Sequence, residues 1–184
     1  QINDCCGKEI GIVYTNLGLN YFKLNNFEQA KLNYFNAISV FNENLTEPSK
    51  LDFYQALGNT YCNLLDVIVS TKEYHLTGEY FQKALKYDLE GWGTFHHSRI
   101  AELYRNRTKI SLGQNQFNEA LEFNQKALFA LLPDFDIEVP FALVNLEEYP
   151  IKDKLSFLET LSQKAQIFTT LYHHENQKDK KYLA

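Results

Sequence analysis

The residues of this chain best suited to nucleophilic chemistry are three cysteines, Cys5, Cys6 and Cys62. A cysteine beside a histidine can act as a nucleophile with its base. Cys62, however, follows Tyr61 in an apolar helical pattern without a flanking catalytic motif, so we expect a small, buried packing residue. We expect Cys5 and Cys6 to lie in a frayed terminus. The odd number of cysteines, without metal-site spacing, argues against disulfides or zinc and favours a reducing, cytoplasmic compartment.

Two histidine pairs, His96-His97 and His173-His174, could suggest a metal site. Neighbouring side chains on a helix diverge by about 100°, whereas two histidines that chelate one ion from a helix lie at positions i and i+4. We therefore expect these histidines to be solvated or to cap helices. We predict no metal, no cofactor and no catalytic residue in this chain.

Charge and hydropathy argue against two classes of partner. The 184 residues carry a net charge of -5 and show no cluster of Lys and Arg, so we expect no nucleic-acid partner. No apolar run approaches the ~18 residues of a membrane span and the first ten residues lack a signal-peptide layout, so we expect no membrane association. The chain contains no methionine and ends where a new helical pattern starts, from which we expect a piece of a longer protein.

An internal repeat dominates the sequence. Segments 27–38, 80–85 and 117–128 each place alanine after aromatic and polar residues, and a Tyr-x-x-Leu-Gly-x-x-Tyr pattern precedes the first two. The combination resembles the tetratricopeptide repeat, a helix-turn-helix unit. This resemblance implies an all-α, superhelical solenoid of antiparallel helix pairs. Its packing residues would be Tyr14, Leu17, Gly18, Tyr21, Ala30, Ala37, Tyr54, Leu57, Gly58, Tyr61, Ala84, Tyr104, Ala120 and Ala127, with Tyr104 starting a weaker third copy.

The repeat also suggests boundaries. We expect residues 1–9 to be an N-terminal extension and residues 10–131 to form three helix pairs, at 10–43, 48–90 and 94–131. The interval from Tyr61 to Ala84 is 23 residues, against 16 from Tyr21 to Ala37. The second pair should therefore contain about two extra helical turns.

The last third of the chain departs from the repeat. Pro140 and Pro150 frame an apolar segment, which indicates a structured insertion at 132–151. Residues 152–184 are predicted to hold a further amphipathic helix, then a charged turn from His173 to Lys181 and the truncated start of a next repeat.

The order of these later features resembles one group of proteins more closely. The third repeat, the proline-bounded insertion and the following helix are similar to the repeat arrays of bacterial CHAT-domain proteins. The residues that carry this resemblance are Lys126, Ala127, Leu128, Leu131, Pro133, Phe135, Leu155, Leu158, Leu161, Lys164, Ala165, Phe168, Leu171 and Tyr172. Those proteins carry a caspase-like domain after the repeats. The resemblance implies that this chain is the recognition or regulatory region of a larger peptidase whose His and Cys lie in that later domain.

In helical-repeat solenoids the first helix of each pair lines a concave groove. On that stripe we expect Thr15, Leu19, Phe22, Lys23, Gln55, Asn59, Cys62, Asn63, Glu102, Arg105 and Lys109. The amides could hold a peptide backbone, and Arg105 with Lys109 could attract an acidic group. Ordinary exposed polar residues are the competing interpretation.

These observations predict a non-catalytic protein-protein interaction scaffold. Its partner would be a protein, a peptide or the C-terminal domain of the same chain. The alternative is a stand-alone adaptor or assembly scaffold without a peptidase.

Overall fold

The computed structural model describes residues 3–45, 50–132 and 153–182. The regular structure within these ranges is entirely helical, which confirms the predicted all-α class. Its α-helices are α1 (Asn3–Lys23), α2 (Phe27–Glu43), α3 (Lys50–Thr71), α4 (Thr77–Trp92), α5 (Ser98–Gly113), α6 (Phe117–Leu131) and α7 (Lys154–Tyr182), and a short 3-10 helix, Tyr74–Leu76, precedes α4. The chain divides into two compact units, Gln1–Phe95 and His96–Ala184.

The first unit is built from two helix pairs. Helix α1 pairs with α2 and α3 pairs with α4, while α2 also packs against α3. Phe41 of α2 meets Phe53 of α3 edge to face, with ring centroids 6.2 Å apart, and both rings are almost completely buried. Aromatic contacts of this geometry contribute beyond the area they bury, so this contact helps to fix one pair against the next.

Glycines, Gly18 and Gly58 among them, set the distance between the helices within these pairs. A Cβ atom on Gly18 would lie 2.5 Å from a ring carbon of Tyr34, and one on Gly58 would collide with the carboxylate of Asp88. Both separations are shorter than van der Waals contact, so a side chain at either position would force the partner residue to move. Gly18 thus allows α2 to approach α1, and Gly58 allows α4 to approach α3.

The turns that follow α1 and α5 have the same geometry. Asn25 and Asn115 both adopt the left-handed conformation, with φ of 57° and 59°. The next amide bonds back to the helix in each case, from Asn26 N to Tyr21 O at 2.9 Å and from Gln116 N to Ser111 O at 2.8 Å. This is the hydrogen-bond pattern of a Schellman motif with asparagine in place of glycine. The sequence repeat therefore corresponds to a repeated backbone turn.

The glycine contacts correct the alignment of the second pair with the first. Gly58 faces Asp88 as Gly18 faces Tyr34, which makes Ala84 the counterpart of Ala30 and not of Ala37. The interval from Tyr61 to Ala84 is 23 residues, whereas that from Tyr21 to Ala30 is 9. The second pair is therefore longer by 14 residues, or about four turns instead of the expected two.

Both arms of the second pair share this extra length. Helix α3 continues to Thr71, ten residues beyond Tyr61, whereas α1 ends at Lys23, two residues beyond Tyr21. On the return arm, the 3-10 helix and four additional α-helical residues precede Ala84. At 1.5 Å per α-helical residue and about 2.0 Å per 3-10 residue, each arm gains about 12 Å. The equal gain keeps α3 and α4 paired along their whole length.

In the second unit α5 pairs with α6, and α7 packs on both helices. Two apolar clusters join α6 and the segment after it to α7, one formed by Leu128, Leu132 and Phe157 and the other by Ala120, Leu121 and Ile167. These clusters place α7 against α5 and α6 much as α3 packs on α1 and α2.

Helix α7 is longer than the sequence predicts. At its start, the carboxylate of Asp153 accepts a hydrogen bond from the amide of Ser156 at 3.0 Å, and this bond lowers the pKa of Asp153. The helix then continues to Tyr182, so the charged turn expected from His173 to Lys181 is helical. Glu, Gln and Lys have high helix propensity, and the polarity of this segment was wrongly interpreted as a turn signal.

The two remaining boundaries concern residues 1–9 and the insertion. Helix α1 begins at Asn3, so most of the expected N-terminal extension belongs to the first pair. Within it, Gly7 packs against Asn44 and Lys8 forms an ion pair with Asp52 at 2.6 Å. These turns contain few apolar residues, which hid them from a search for periodicity. Residues 133–151 of the expected insertion lie outside the described residues.

Most of the residues expected to pack the repeats are buried, namely Gly18, Ala30, Ala37, Leu57, Gly58, Tyr61, Ala84, Tyr104, Ala120 and Ala127. Tyr14, Tyr21 and Tyr54 are partly exposed, and Leu17 is 40% exposed. Its counterpart Leu57 is buried because α2 and α4 both pack on α3, whereas α1 packs mainly on α2 within the described residues. The same repeat position thus has different surroundings in the two helices.

We expect Gly18→Val to lower the free energy of unfolding by about 1–3 kcal/mol, because the added atoms displace Tyr34 and separate α1 from α2. Gly78→Ala is the matched control. Gly78 has open space around its Cα in α4, so this change should be neutral or stabilising by up to about 1 kcal/mol. Urea unfolding followed by circular dichroism measures both. Equal stability of the two variants would show that the crossing of α1 and α2 tolerates a wider separation.

Candidate functional site

A cleft of about 250 Å³ opens in the first unit between α1 and α3. One face of each helix forms a wall, since the lining residues of each recur three and four positions apart. The lining residues are Lys8, Ile12, Thr15 and Asn16 of α1, Asp52, Gln55, Ala56 and Asn59 of α3, and Phe41 of α2. Three of the residues expected in a concave groove, Thr15, Gln55 and Asn59, are therefore brought together here.

Two hydroxyl groups join the walls of the cleft. The Oγ1 atoms of Thr15 and Thr60 lie 3.1 Å apart, and one donates to the other. Each hydroxyl also lies within hydrogen-bond distance of a carbonyl of its own helix, Gly11 for Thr15 and Ala56 for Thr60. Thr15 is buried, so it holds α1 against α3 and is not an exposed binding group.

An ion pair lies at one end of the cleft. The Nζ atom of Lys8 is 2.6 Å from Oδ2 of Asp52, and both side chains are partly exposed. A solvated pair of this kind contributes only about 0–1 kcal/mol to stability. Its main effect is to give this end of the cleft one cation and one anion.

Three amide side chains lie along the cleft. Gln55 donates through Nε2 to the carbonyl of Gly91 at 2.9 Å, which ties α3 to α4. Asn16 is exposed on α1 and Asn59 is partly exposed on α3. An amide offers both a donor and an acceptor, so it can bond the N–H and C=O groups of an extended peptide.

The size and composition of the cleft limit its ligand. Its volume of about 250 Å³ is below the ~300–1,000 Å³ that is usual for drug-sized ligands and cofactors. Ile12, Ala56 and Phe41 supply an apolar surface between the polar groups. A short stretch of peptide, with one or two apolar side chains, fits this combination.

The other residues expected on the groove of the first unit lie outside the cleft lining. Phe22 packs against Phe27 with ring centroids 5.9 Å apart. Leu19 and Asn63 are partly exposed and Lys23 is exposed. Cys62 has no exposed surface, so its thiol does not face a groove, and the packing interpretation describes it better.

The equivalent position in the second unit is filled by a side chain. Arg105 follows Thr15 by 90 residues, the same offset that separates Asn115 from Asn25. It is 9% exposed, and its Nη2 atom lies 3.0 Å from Oε2 of Glu159 on α7. Its backbone carbonyl accepts a hydrogen bond from Gln163 at 2.9 Å. Arg105 is therefore part of the contact between α5 and α7 and does not face a partner in an open groove.

Further polar contacts fix α7 in the second unit. The amide of Asn124 donates to the carbonyl of Thr160 at 3.0 Å, and Lys164 donates to Oε1 of Gln125 at 3.1 Å. Lys164 is buried, and burial lowers its pKa. Polar groups buried in this way are stabilising only when their hydrogen bonds are made, so they favour one arrangement of α7.

The remaining two groove candidates of the second unit lie on α5. Glu102 forms an ion pair with Arg99 of the same helix. Lys109 is exposed and donates to Oδ1 of Asn106 at 3.1 Å. Both contacts are local to α5, so neither residue shows a binding geometry.

One histidine caps a helix, and another packs on an aromatic ring. His97 accepts a hydrogen bond at Nδ1 from the amide of Arg99 at 3.2 Å and so caps α5. Burial and the charge of Arg99 lower the pKa of His97, which favours the neutral ring that can accept this hydrogen bond. His173 is exposed, and the ring of His174 packs on Phe117.

The described ranges contain no group of three or more His, Cys, Asp and Glu residues that could hold a metal ion. Within the same ranges, the helices are too short or too polar to cross a membrane.

Sequence reasoning missed six residues of the cleft, Lys8, Ile12, Asn16, Phe41, Asp52 and Ala56. A signal for them was present, because Lys8, Ile12 and Asn16 recur every four residues. Placing the start of the first helix at Ile10 removed Lys8 from consideration, and a groove assigned by family analogy shifted the chosen stripe towards Leu19 and Phe22.

Comparisons with known proteins give no match for this chain among family models, curated proteins or solved structures. The tetratricopeptide and CHAT-domain resemblances therefore rest on its own residues.

Arg105 and Lys109 were both expected to attract a ligand, but in the structure Arg105 is buried against α7 and Lys109 is exposed. We expect Arg105→Ala to lower the free energy of unfolding by about 1.5–3 kcal/mol, because charge-assisted hydrogen bonds to α7 are lost. Lys109→Ala, its control on the same helix, should change it by no more than about 0.5 kcal/mol. Thermal and urea unfolding of the two variants check this. A stable Arg105→Ala protein would contradict the structural role of Arg105.

Proposed function

We propose that this chain is a non-catalytic, tetratricopeptide-like interaction scaffold that binds an extended segment of a protein in the cleft between α1 and α3. The observation that carries the proposal is the pair of amides, Asn16 and Asn59, on opposite walls of a small cleft with an ion pair at one end. Amides on both sides suit the alternating donors and acceptors of a peptide backbone. The pair formed by Lys8 and Asp52 suits a peptide with a charged group near one end.

Two features support the finer fold assignment, a superhelical solenoid of tetratricopeptide type. The turns at Asn25 and Asn115 share one backbone geometry, and glycines at equivalent positions, Gly18 and Gly58, allow close helix crossings. Repeated turns and crossings of this kind are expected of stacked helix pairs.

The resemblance of residues 10–184 to the repeat arrays of CHAT-domain proteins extends the proposal. In this reading the chain is the recognition or regulatory region of a larger, cytoplasmic, caspase-like peptidase, and capture of a partner shifts the peptidase towards its active state. The alternative is an adaptor or assembly scaffold without a peptidase. The natural gene tests this choice. A caspase-like domain with a His and a Cys, encoded after the repeats, supports the peptidase proposal, whereas further repeats alone support the adaptor or assembly scaffold.

The cleft itself is tested by selecting peptides from a random phage-displayed library against the chain and measuring the affinity of the enriched sequences by fluorescence anisotropy. We expect the double variant Asn16→Ala with Asn59→Ala to weaken binding at least about tenfold, since two hydrogen-bonding amides are removed. Lys109→Ala, an exposed change in the second unit, is the matched control and should bind like the parent. The proposal fails if no peptide is enriched, or if the double variant binds as tightly as the parent.

A further inference from the structure

Helix α1 presents a stripe of exposed apolar side chains. Ile10, Val13 and Leu17 on the helix and Leu24 just after it are 47%, 57%, 40% and 74% exposed. Their spacings of three, four and seven residues are those of the a and d positions of a heptad, which face a partner helix. None of the four residues lines the cleft, so the stripe is a separate surface of the first unit.

The repeat shows what kind of element such a stripe contacts. Residues 40 positions later on α3 are Phe53, Leu57 and Leu64, the counterparts of Val13, Leu17 and Leu24. These three are 1%, 0% and 1% exposed, and neighbouring helices, α2 among them, cover α3. The same positions are thus a helix-packing surface in one repeat and lie open to solvent in the other.

We propose that this stripe, Ile10, Val13, Leu17 and Leu24, is the interface of a homodimer in which α1 packs antiparallel against α1 of a second copy. Two copies related by a two-fold axis place Val13 of each chain beside Leu17 of the other, near the middle of the helix. An isologous contact of this kind needs a surface complementary to itself, and Val13 with Leu17 meets that need next to the two-fold axis, with Ile10 and Leu24 extending the apolar surface on either side.

Charge at the ends of the stripe favours the antiparallel orientation. Glu9 lies beside Ile10 at one end and Lys23 lies beside Leu24 at the other, and both are exposed. With the helices antiparallel, Glu9 of each copy lies near Lys23 of the other, so two opposite-charge pairs flank the apolar stripe. A parallel arrangement would instead place both Glu9 side chains at one end and both Lys23 side chains at the other, without these opposite-charge pairs. Flanking charges of this kind favour one orientation of paired helices over the other.

The first test is the mass of the chain in solution, measured by sedimentation equilibrium at roughly 1–100 µM, the range of weak homodimers. We expect a dimer, and Leu17→Glu should weaken it at least about tenfold by placing a charge in the interface. Leu155→Glu, which alters an exposed leucine of α7 at 69% exposure, is the matched control and should leave the dimer intact. A chain that remains monomeric throughout this range overturns the proposal.

The second test exchanges the charges. Glu9→Lys and Lys23→Glu should each weaken the homodimer, because each places like charges together at both ends of the interface. An equimolar mixture of these two variants should recover parental affinity as a heterodimer, with both charge pairs restored. Recovery on mixing requires that both proteins are folded, so it separates a charge effect from misfolding. A dimer that is lost with Leu17→Glu but unchanged in both charge variants overturns the antiparallel geometry.

A peptide-binding measurement on these variants tests the dimer proposal separately from the proposed function. Leu17→Glu should bind the selected peptides like the parent, since Leu17 does not line the cleft. The cleft variant with Asn16→Ala and Asn59→Ala serves as the reciprocal test, and it should remain dimeric because neither residue belongs to the stripe. A monomeric cleft variant would count against the interface as defined by these four residues.

Discussion

The close crossing of paired helices is the constraint on which the first unit depends. Gly18 lets α2 lie against α1 with Tyr34 directly over the glycine. Helix α2 held in that place presents Phe41 to Phe53 and so sets the position of α3. Gly11 of the same helix likewise leaves room for Phe41, so the separation of α1 from α3, and with it the width of the cleft, depends on the absence of side chains at glycines of α1. Helix packing distances generally depend on the size of the residues at the contact.

One repeat position has two different roles in the two units. Thr15 and Arg105 occupy equivalent places on α1 and α5, and each contacts the third helix of its unit. The short threonine joins α1 to α3 and leaves a cleft beside it, whereas the long arginine reaches Glu159 on α7. A repeat thus fixes where a side chain lies, while the length of that side chain decides whether the neighbouring space is open or filled.

The sequence was most informative where the signal is local. The helix pairs and the burial of Ala30 and Ala84 follow from spacing within a dozen residues. The roles of Thr15 and Arg105 depend on Thr60 and Glu159, which lie 45 and 54 residues away. Periodicity along one helix does not report which of its faces a distant helix will cover, and so it could not separate a binding stripe from a packing stripe.

The burial of Arg105 has a consequence for the order of folding. Helices α5 and α6 are adjacent in sequence and can pair through local contacts, which form early because little loop entropy is lost. Helix α7 reaches them only after 22 intervening residues, 132–153. Until it docks, the guanidinium of Arg105 remains hydrated, and docking must remove that water as the bond to Glu159 forms. We expect the attachment of α7 to be the slow step in forming the second unit.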